Sequence, residues 1–387
     1  MKKHPVYKKL QKHLDQQAVG FPATRSGVEL DILGHIFSPQ EAEIACVMSY
    51  KPETAEIIFK RMEPSLASVD ELNGHLDRIF SKGGLFSKVI DGQRHYALAP
   101  LVVGMYEMQK NRLTPEFINN FDKYTQERNF GINFLSTERP QMRTIPIAES
   151  ITMVNHVSPF DQVTLLIKEA REPFAIVECI CRKKQELSGS SCDVTKRKET
   201  CLTLAGTAEG AIHLGVGRQI SRDEALSIIE QNQKEGLVLQ PSNSQEPEFI
   251  CSCCGCCCGM LDMFQLLPKP LDYWASNFHS TVDVDKCNGC GVCETRCQVK
   301  AIRVNDKSNL AQVDRNLCLG CGVCIPTCPK TALSLEKNTC EIEPPKRIED
   351  LYDLIMEKKK GPLGKLKVTL KMAVDAIRTG RTEILKR

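Results

Sequence analysis

The sequence predicts a multidomain α+β protein, and three observations predict it. The chain has 387 residues, 42% hydrophobic and 26% charged, which is enough to bury more than one core. Helix-period segments opened by capping boxes alternate with short apolar runs bounded by turn residues. The twenty cysteines are unevenly spread: Cys46 stands alone before residue 179, ten fall in 179–258, eight in 287–328, and Cys340 follows. A mean hydropathy of −0.25, with no apolar run of about 20 residues, argues against a membrane span. Met1-Lys-Lys-His-Pro lacks the apolar stretch of a signal peptide, so the cytoplasm is the expected location. There, this many cysteines point to metal or redox chemistry rather than disulfides.

Residues 1–110 are expected to form the first domain. Ser38-Pro-Gln-Glu41 is a capping box with proline at the first helical position, and predicts a helix through Ala42–Met48. Pro52–Met62 is expected to be a second helix. Ser68-Val-Asp-Glu71 opens a third through Leu72, Leu76, Ile79 and Phe80, and Gly83-Gly84 ends it. Leu85–Ile90 and His95–Leu98 flank Asp91-Gly92, a type I′ hairpin signal. Three helices and a hairpin resemble a winged helix-turn-helix. Charge argues against nucleic acid as its partner, because residues 1–110 carry 14 Lys/Arg against 13 Asp/Glu. The third helix bears Asp70, Glu71 and Asp77 against Arg78 and Lys82, which repels phosphate. The lysines of Lys2–Lys12 are expected to be a solvated terminus.

Residues 111–278 are expected to form a cysteine-rich α+β domain. Thr114-Pro-Glu caps a helix through Phe117–Glu127, and Pro140–Pro146 is expected to be extended. Ser158-Pro-Phe-Asp161 caps a helix through Val163–Glu169. Phe174–Glu178 is a short apolar run that delivers Cys179 and Cys181. Ser221-Arg-Asp-Glu224 opens a helix that Gly236 ends, and Leu237-Val-Leu-Gln follows as a strand.

Residues 279–343 contain a repeat. Cys287-Asn-Gly-Cys290-Gly-Val-Cys293-Glu-Thr-Arg-Cys297 aligns with Cys318-Leu-Gly-Cys321-Gly-Val-Cys324-Ile-Pro-Thr-Cys328 at a constant offset of 31. Ala301-Ile302 falls on Ala332-Leu333, and Val304 on Leu335. Two-residue spacers let three thiolates of each run point inward from one tight turn onto three irons of a cube, and the glycines permit that turn. The fourth cysteine cannot easily close on the same cube.

These motifs resemble the bacterial two-[4Fe–4S] ferredoxin family, over about 60 residues. The resemblance implies that Cys287, Cys290, Cys293 and Cys328 bind one cluster, and Cys318, Cys321, Cys324 and Cys297 the second. Pro329 matches the family's proline after the last cysteine, while Gln298 replaces it in the first half. Fully ligated clusters carry electrons and lack the open iron that catalysis needs. The whole arrangement also looks like long 4Fe–4S proteins of strict anaerobes, a resemblance that supplies no catalytic residue.

The central cysteines leave three readings open. Cys179, Cys181, Cys192 and Cys201, with some of Cys251, Cys253, Cys254, Cys256, Cys257 and Cys258, are candidates for one or two further Fe–S clusters. A zinc site with spare thiols is the second reading. The third is a redox-active disulfide at Cys253/Cys254 or Cys256/Cys257. Arg182 is expected in a surface ion pair rather than as a thiol activator. No nucleotide-binding, nucleophile-elbow or H-E-x-x-H motif occurs. His156, His213 and His279 are read as packed or exposed side chains, Cys46 as a core thiol and Cys340 as incidental.

Residues 344–387 are expected to be a basic tail. After Gly361-Pro362, Leu363, Leu366, Leu370, Val374 and Ile377 recur at helical spacing. Ten Lys/Arg stand against Asp375 and Glu383 from Lys358 onward. Such a helix could lie on an anionic membrane, dock on an acidic redox partner, or pack on its own chain. The function expected is electron relay between redox partner proteins. One alternative is a reductase whose active site lies in the central domain; a second is a redox-sensing DNA-binding regulator.

Overall fold

The computed structural model describes residues 4–62, 66–152, 154 and 156–385. Lys2 and Lys3 of the lysine run, and Lys386 and Arg387 of the tail, lie outside the described residues. Helix and sheet are mixed along the chain, and no described helix is long and apolar enough to cross a membrane.

Capping sets the first helices. Helices α1 (Pro5–Gln16) and α2 (Val28–Ile36) start at His4 and Gly27 without a capping box, so they escape the sequence criteria. Helix α3 (Pro39–Ala45) has one: the Ser38 hydroxyl accepts from the Glu41 N–H, and Glu41 accepts from the Ser38 N–H at 2.7 Å. The helix expected from Pro52 begins later. Glu53–Thr54 forms β1, paired with Tyr96 and His95, and only then does α4 (Ala55–Phe59) run. Ser68 caps α5 (Val69–Ser81). Strands β2 (Leu85–Ile90) and β3 (Gln93–Leu98) join through Asp91 (φ 50°) and Gly92 (φ 78°), the two left-handed residues that a type I′ turn requires. Their core also takes in Phe117, Phe121 and Tyr124 of α6 (Pro115–Gln126), which lies beyond the boundary expected at residue 110.

The Glu41 carboxylate is almost fully buried and holds the Lys82 ammonium at 2.7 Å. Burial pushes this carboxyl up, but Lys82 and the Ser38 N–H outweigh burial and hold it below its usual value. A depressed folded value means that the stabilisation is complete above the unfolded carboxylate range and is lost as pH falls through the folded one. Glu41→Gln is expected to cost about 2 kcal/mol at neutral pH and to flatten the acid limb of a plot of Tm against pH.

Helix α7 (Arg128–Leu135) and the short β4 (Arg143–Thr144) lead into the centre. After α8 (Val163–Glu169), β5 (Phe174–Glu178) and α9 (Ile180–Leu187) come β6 (Glu199–Leu204), α10 (Ala205–His213), β7 (Gly217–Ile220), α11 (Arg222–Glu235), β8 (Val238–Pro241) and β9 (Phe249–Cys253). Strands β5 to β9 make one antiparallel sheet in the order β7-β5-β6-β9-β8. Phe174, Ile176, Leu202, Leu204 and Ile250 share a core with α8 and α11. Alternation turns Cys201, Cys251 and Cys253 to the opposite face.

Helix α12 (Gly259–Leu266) and β10 (Ala275–Ser276), which pairs with β4, connect to the C-terminal repeat. There β11 (Phe278–Val282) pairs with β14 (Leu333–Lys337), and β12 (Ile302–Asn305) with β13 (Leu310–Val313). The short α13 (Val292–Arg296) lies between β11 and β12. In the tail, α14 (Ile348–Glu357) precedes the expected helix, α15 (Pro362–Thr379). Met372 of α15 packs with Leu135 and Leu267. The apolar stripe itself faces solvent, with Leu363 78% and Ile377 71% exposed. Packing on its own chain therefore does not use that stripe.

Candidate metal centres

The eight C-terminal cysteines gather in two groups, each drawing on both runs. Cys287, Cys290, Cys293 and Cys328 line one small cavity with Ala311, Ala332 and Leu333. Cys321 faces Cys324, Cys297 and Cys318. Backbone N–H groups donate to four of these sulfurs: Ala311 to Cys287 at 3.4 Å, Ser280 to Cys318 at 3.3 Å, Ala301 to Cys297 at 3.2 Å and Ala332 to Cys328 at 3.3 Å. Such bonds favour the thiolate and so suit a metal ligand. Gly289 and Gly320, 31 residues apart, both have positive φ, and a Cβ on either would lie 2.1 Å from a carbonyl oxygen, of Asn309 or Phe278. Burial pushes the Cys324 thiol up to about 12. A thiol so placed ionises at neutral pH only against a bound cation, and the donor set fits iron.

The ten central cysteines divide six and four. Six form a closed ring in which each thiol interacts with two others: Cys179 with Cys181 and Cys201, Cys251 with Cys201 and Cys253, and Cys258 with Cys181 and Cys253. The sheet builds half of it. Strands β6 and β9 pair Leu202 with Ile250 and Thr203 with Phe249, and one step further along this register Cys201 stands opposite Cys251. Cys179 and Cys181 follow β5, and Cys258 caps α12. Contacts between thiols, together with burial, push Cys181, Cys251 and Cys253 well above the ordinary thiol range. All six line a cavity of about 190 Å³.

The other four, Cys192, Cys254, Cys256 and Cys257, converge on one another beside the ring, and Cys254 and Cys257 also border its cavity. Cys192 thus stands apart from Cys179, Cys181 and Cys201, with which the sequence reading grouped it. Cys253 and Cys254 fall in different groups, so a bond between them is not favoured, and all ten thiols are free. Cys46 is a half-buried thiol that burial pushes up to about 11, and Cys340 is exposed.

Three further residues matter. Arg182 is not a surface ion pair: it is buried, donating to Ser252 O at 2.9 Å and lying 3.8 Å from Cys254 Sγ. Its place after Cys181 was the available signal. Glu107 lines the ring's cavity, and burial raises its carboxyl to about 7; nothing in its local sequence marks it. Gln298, where the ferredoxin pattern has proline, accepts from the Gly255 N–H at 2.9 Å and so links the central loop to the C-terminal repeat. Arg296 adds a second link, donating to Glu235 O at 2.9 Å at the end of α11. At this junction Cys297, Cys318 and Cys321 pack in one cluster with Cys251, Cys253 and Cys258.

Among the curated proteins compared, none matches the chain. Residues 286–332 match the model of the family described as the 4Fe-4S dicluster domain, so over that stretch the chain carries a domain of this iron–sulfur family.

Proposed function

We propose that this protein relays electrons through two [4Fe–4S] cubes and a further iron–sulfur cluster on the six-thiol ring. Cys287, Cys290, Cys293 and Cys328 would hold one cube, and Cys318, Cys321, Cys324 and Cys297 the other, in two halves of a duplicated ferredoxin-like unit. The observation that carries the reading is the convergence of Cys287, Cys290 and Cys293 with the distant Cys328 around one cavity. A bound cube supplies one-electron chemistry at a potential tuned by its surroundings. The chain supplies four thiolates for each cube, N–H bonds to sulfur, and burial. Cys290 is exposed while Cys318 and Cys324 are buried, so the first cube would exchange electrons with a partner and the second would pass them to the ring.

Iron, acid-labile sulfide and EPR of the reduced, anaerobically isolated protein test this. More than about eight irons, with two coupled cube signals, is the expected result. About eight would remove the ring cluster, and fewer would overturn the two cubes as well. Cys328→Ala is expected to remove about four irons and the coupling.

The remaining assignments are proposals of the same kind. Residues 1–110, with α6 packed on their core, 111–278, 279–343 and 344–387 would be the domains. The first would be a winged helix used for docking a protein, because Lys82 is paired with Glu41 and Arg94 with Asp77, which leaves little positive charge for phosphate. The outward stripe of α15, beside exposed Lys367 and Arg378, suits an anionic lipid surface. Leu366→Asp/Leu370→Asp is expected to abolish co-sedimentation with anionic vesicles. No binding by the unaltered chain would remove the membrane reading.

One observation favours a reductase as the second reading. The ring's cavity is largely apolar, lined by Phe86, Val102 and Met260, and the half-buried Glu107 could hold a proton beside the cluster. A ring EPR signal that shifts with cyanide or carbon monoxide would support an open iron there.

A further inference from the structure

We infer that Cys192, Cys254, Cys256 and Cys257 form a closed tetrahedral site for a single zinc ion, separate from the six-thiol ring. Sulfur spacing carries this. Cys192 Sγ lies 3.6 Å from Cys254 Sγ and 3.7 Å from Cys256 Sγ, Cys256 Sγ lies 3.6 Å from Cys257 Sγ, and all four fall within 4.8 Å of one another. Four thiolates on one zinc, at Zn–S of about 2.3 Å, stand about 3.8 Å apart along the edges of a tetrahedron. The thiolates of a cube bind four different irons and point outward from its corners, which spreads them wider than that edge. Among the described residues no other group of three or more cysteines meets the tight spacing, neither in the ring nor in the dicluster domain.

The chain explains the division. Strand β9 ends at Cys253, whose side chain faces the ring with Cys251. The next residue, Cys254, turns the other way, and the tight turn through Gly255 brings Cys256 and Cys257 after it. Cys258 then returns to the ring as the cap of α12. Run 251–258 therefore serves two sites, which accounts for its adjacent cysteines. The fourth ligand comes from the loop before β6. Backbone N–H groups of Val194 and Thr195 donate to Cys192 Sγ. Arg197 pairs with Glu235 at 2.9 Å and braces the loop against α11.

Charge and coordination suit zinc. Binding Zn²⁺ would release the four thiol protons and leave the site with two negative charges. Buried Arg182, 3.8 Å from Cys254 Sγ, offsets part of that charge. Four thiolates complete the tetrahedron and leave no position for a substrate, which is the pattern of a structural site. Its work would be to pin the 192–197 loop to the turn that presents Cys251, Cys253 and Cys258 to the ring and Gly255 to Gln298.

Metal analysis and zinc K-edge absorption of the full chain, isolated anaerobically with iron and zinc supplied, test this. One zinc per chain with four sulfur neighbours at about 2.3 Å is expected. Cys256→Ser is expected to lose the zinc and keep its iron, whereas Cys179→Ser is expected to lose iron and keep the zinc. Absence of zinc, fewer than four sulfurs around it, or a lone iron in its place would overturn the inference. If Cys256→Ser does not fold, the absorption spectrum of the unaltered chain still decides. Zinc ligation is read independently of iron content, so failure of the ring cluster would leave this result intact.

Discussion

Cys253→Ala is expected to strip the central iron from the protein and leave both dicluster cubes in place. Cys253 is buried and interacts with Cys251 and Cys258 in the ring. Six thiols exceed what one cube or one zinc can use; on the proposal that the ring holds an iron–sulfur cluster, removing a thiol from its middle should open it. Iron per chain should fall to about eight, with the coupled signals of the two cubes retained. Cys46→Ala is the control, since that thiol lies at the end of α3 among apolar side chains and should leave iron unchanged. If Cys253→Ala keeps all its iron, the ring holds none.

Gly255→Ala is expected to break the junction between the centre and the dicluster domain. A Cβ at this position would lie 2.2 Å from Gln298 O, a backbone atom that cannot rotate away. Gln298 directly follows Cys297, so relief of the clash would move a proposed ligand of the second cube. The expected cost is about 2–3 kcal/mol in stability. Transfer from the reduced cubes to the ring, followed by stopped-flow absorbance, should slow several-fold, because Cys297, Cys318 and Cys321 would no longer pack on Cys251, Cys253 and Cys258. Gln298→Ala is milder. It removes the acceptor of the Gly255 N–H and should cost about 1 kcal/mol with the packing intact. A Gly255→Ala protein with unaltered stability and transfer rate would mean that the two parts do not rely on this contact.

The dicluster domain was legible because its chemistry is local. Each Cys-x-x-Cys-x-x-Cys turn is closed by neighbours along the chain, and its glycines permit the positive φ that the turn requires. The capped helices α3, α5 and α11 were legible for the same reason: a hydroxyl and an N–H three residues apart decide where each begins. Helices α1 and α2 begin without capping boxes and had no such mark.

What the sequence by itself determined is therefore the α+β class, the capped elements and the residue types able to bind metal. Only the tertiary structure decided how the ten central thiols divide. The ten thiols come from the start of α9, the loop before β6, β6 itself, β9 and the turn before α12, across about eighty residues of chain, and the register of β6 on β9 sets Cys201 opposite Cys251. The same holds for the tail. Periodicity predicted α15 and its apolar stripe, but α7 meets the helix at Met372 and leaves the stripe outside. Burial is a relation between segments distant in sequence, and spacing within one segment does not contain it.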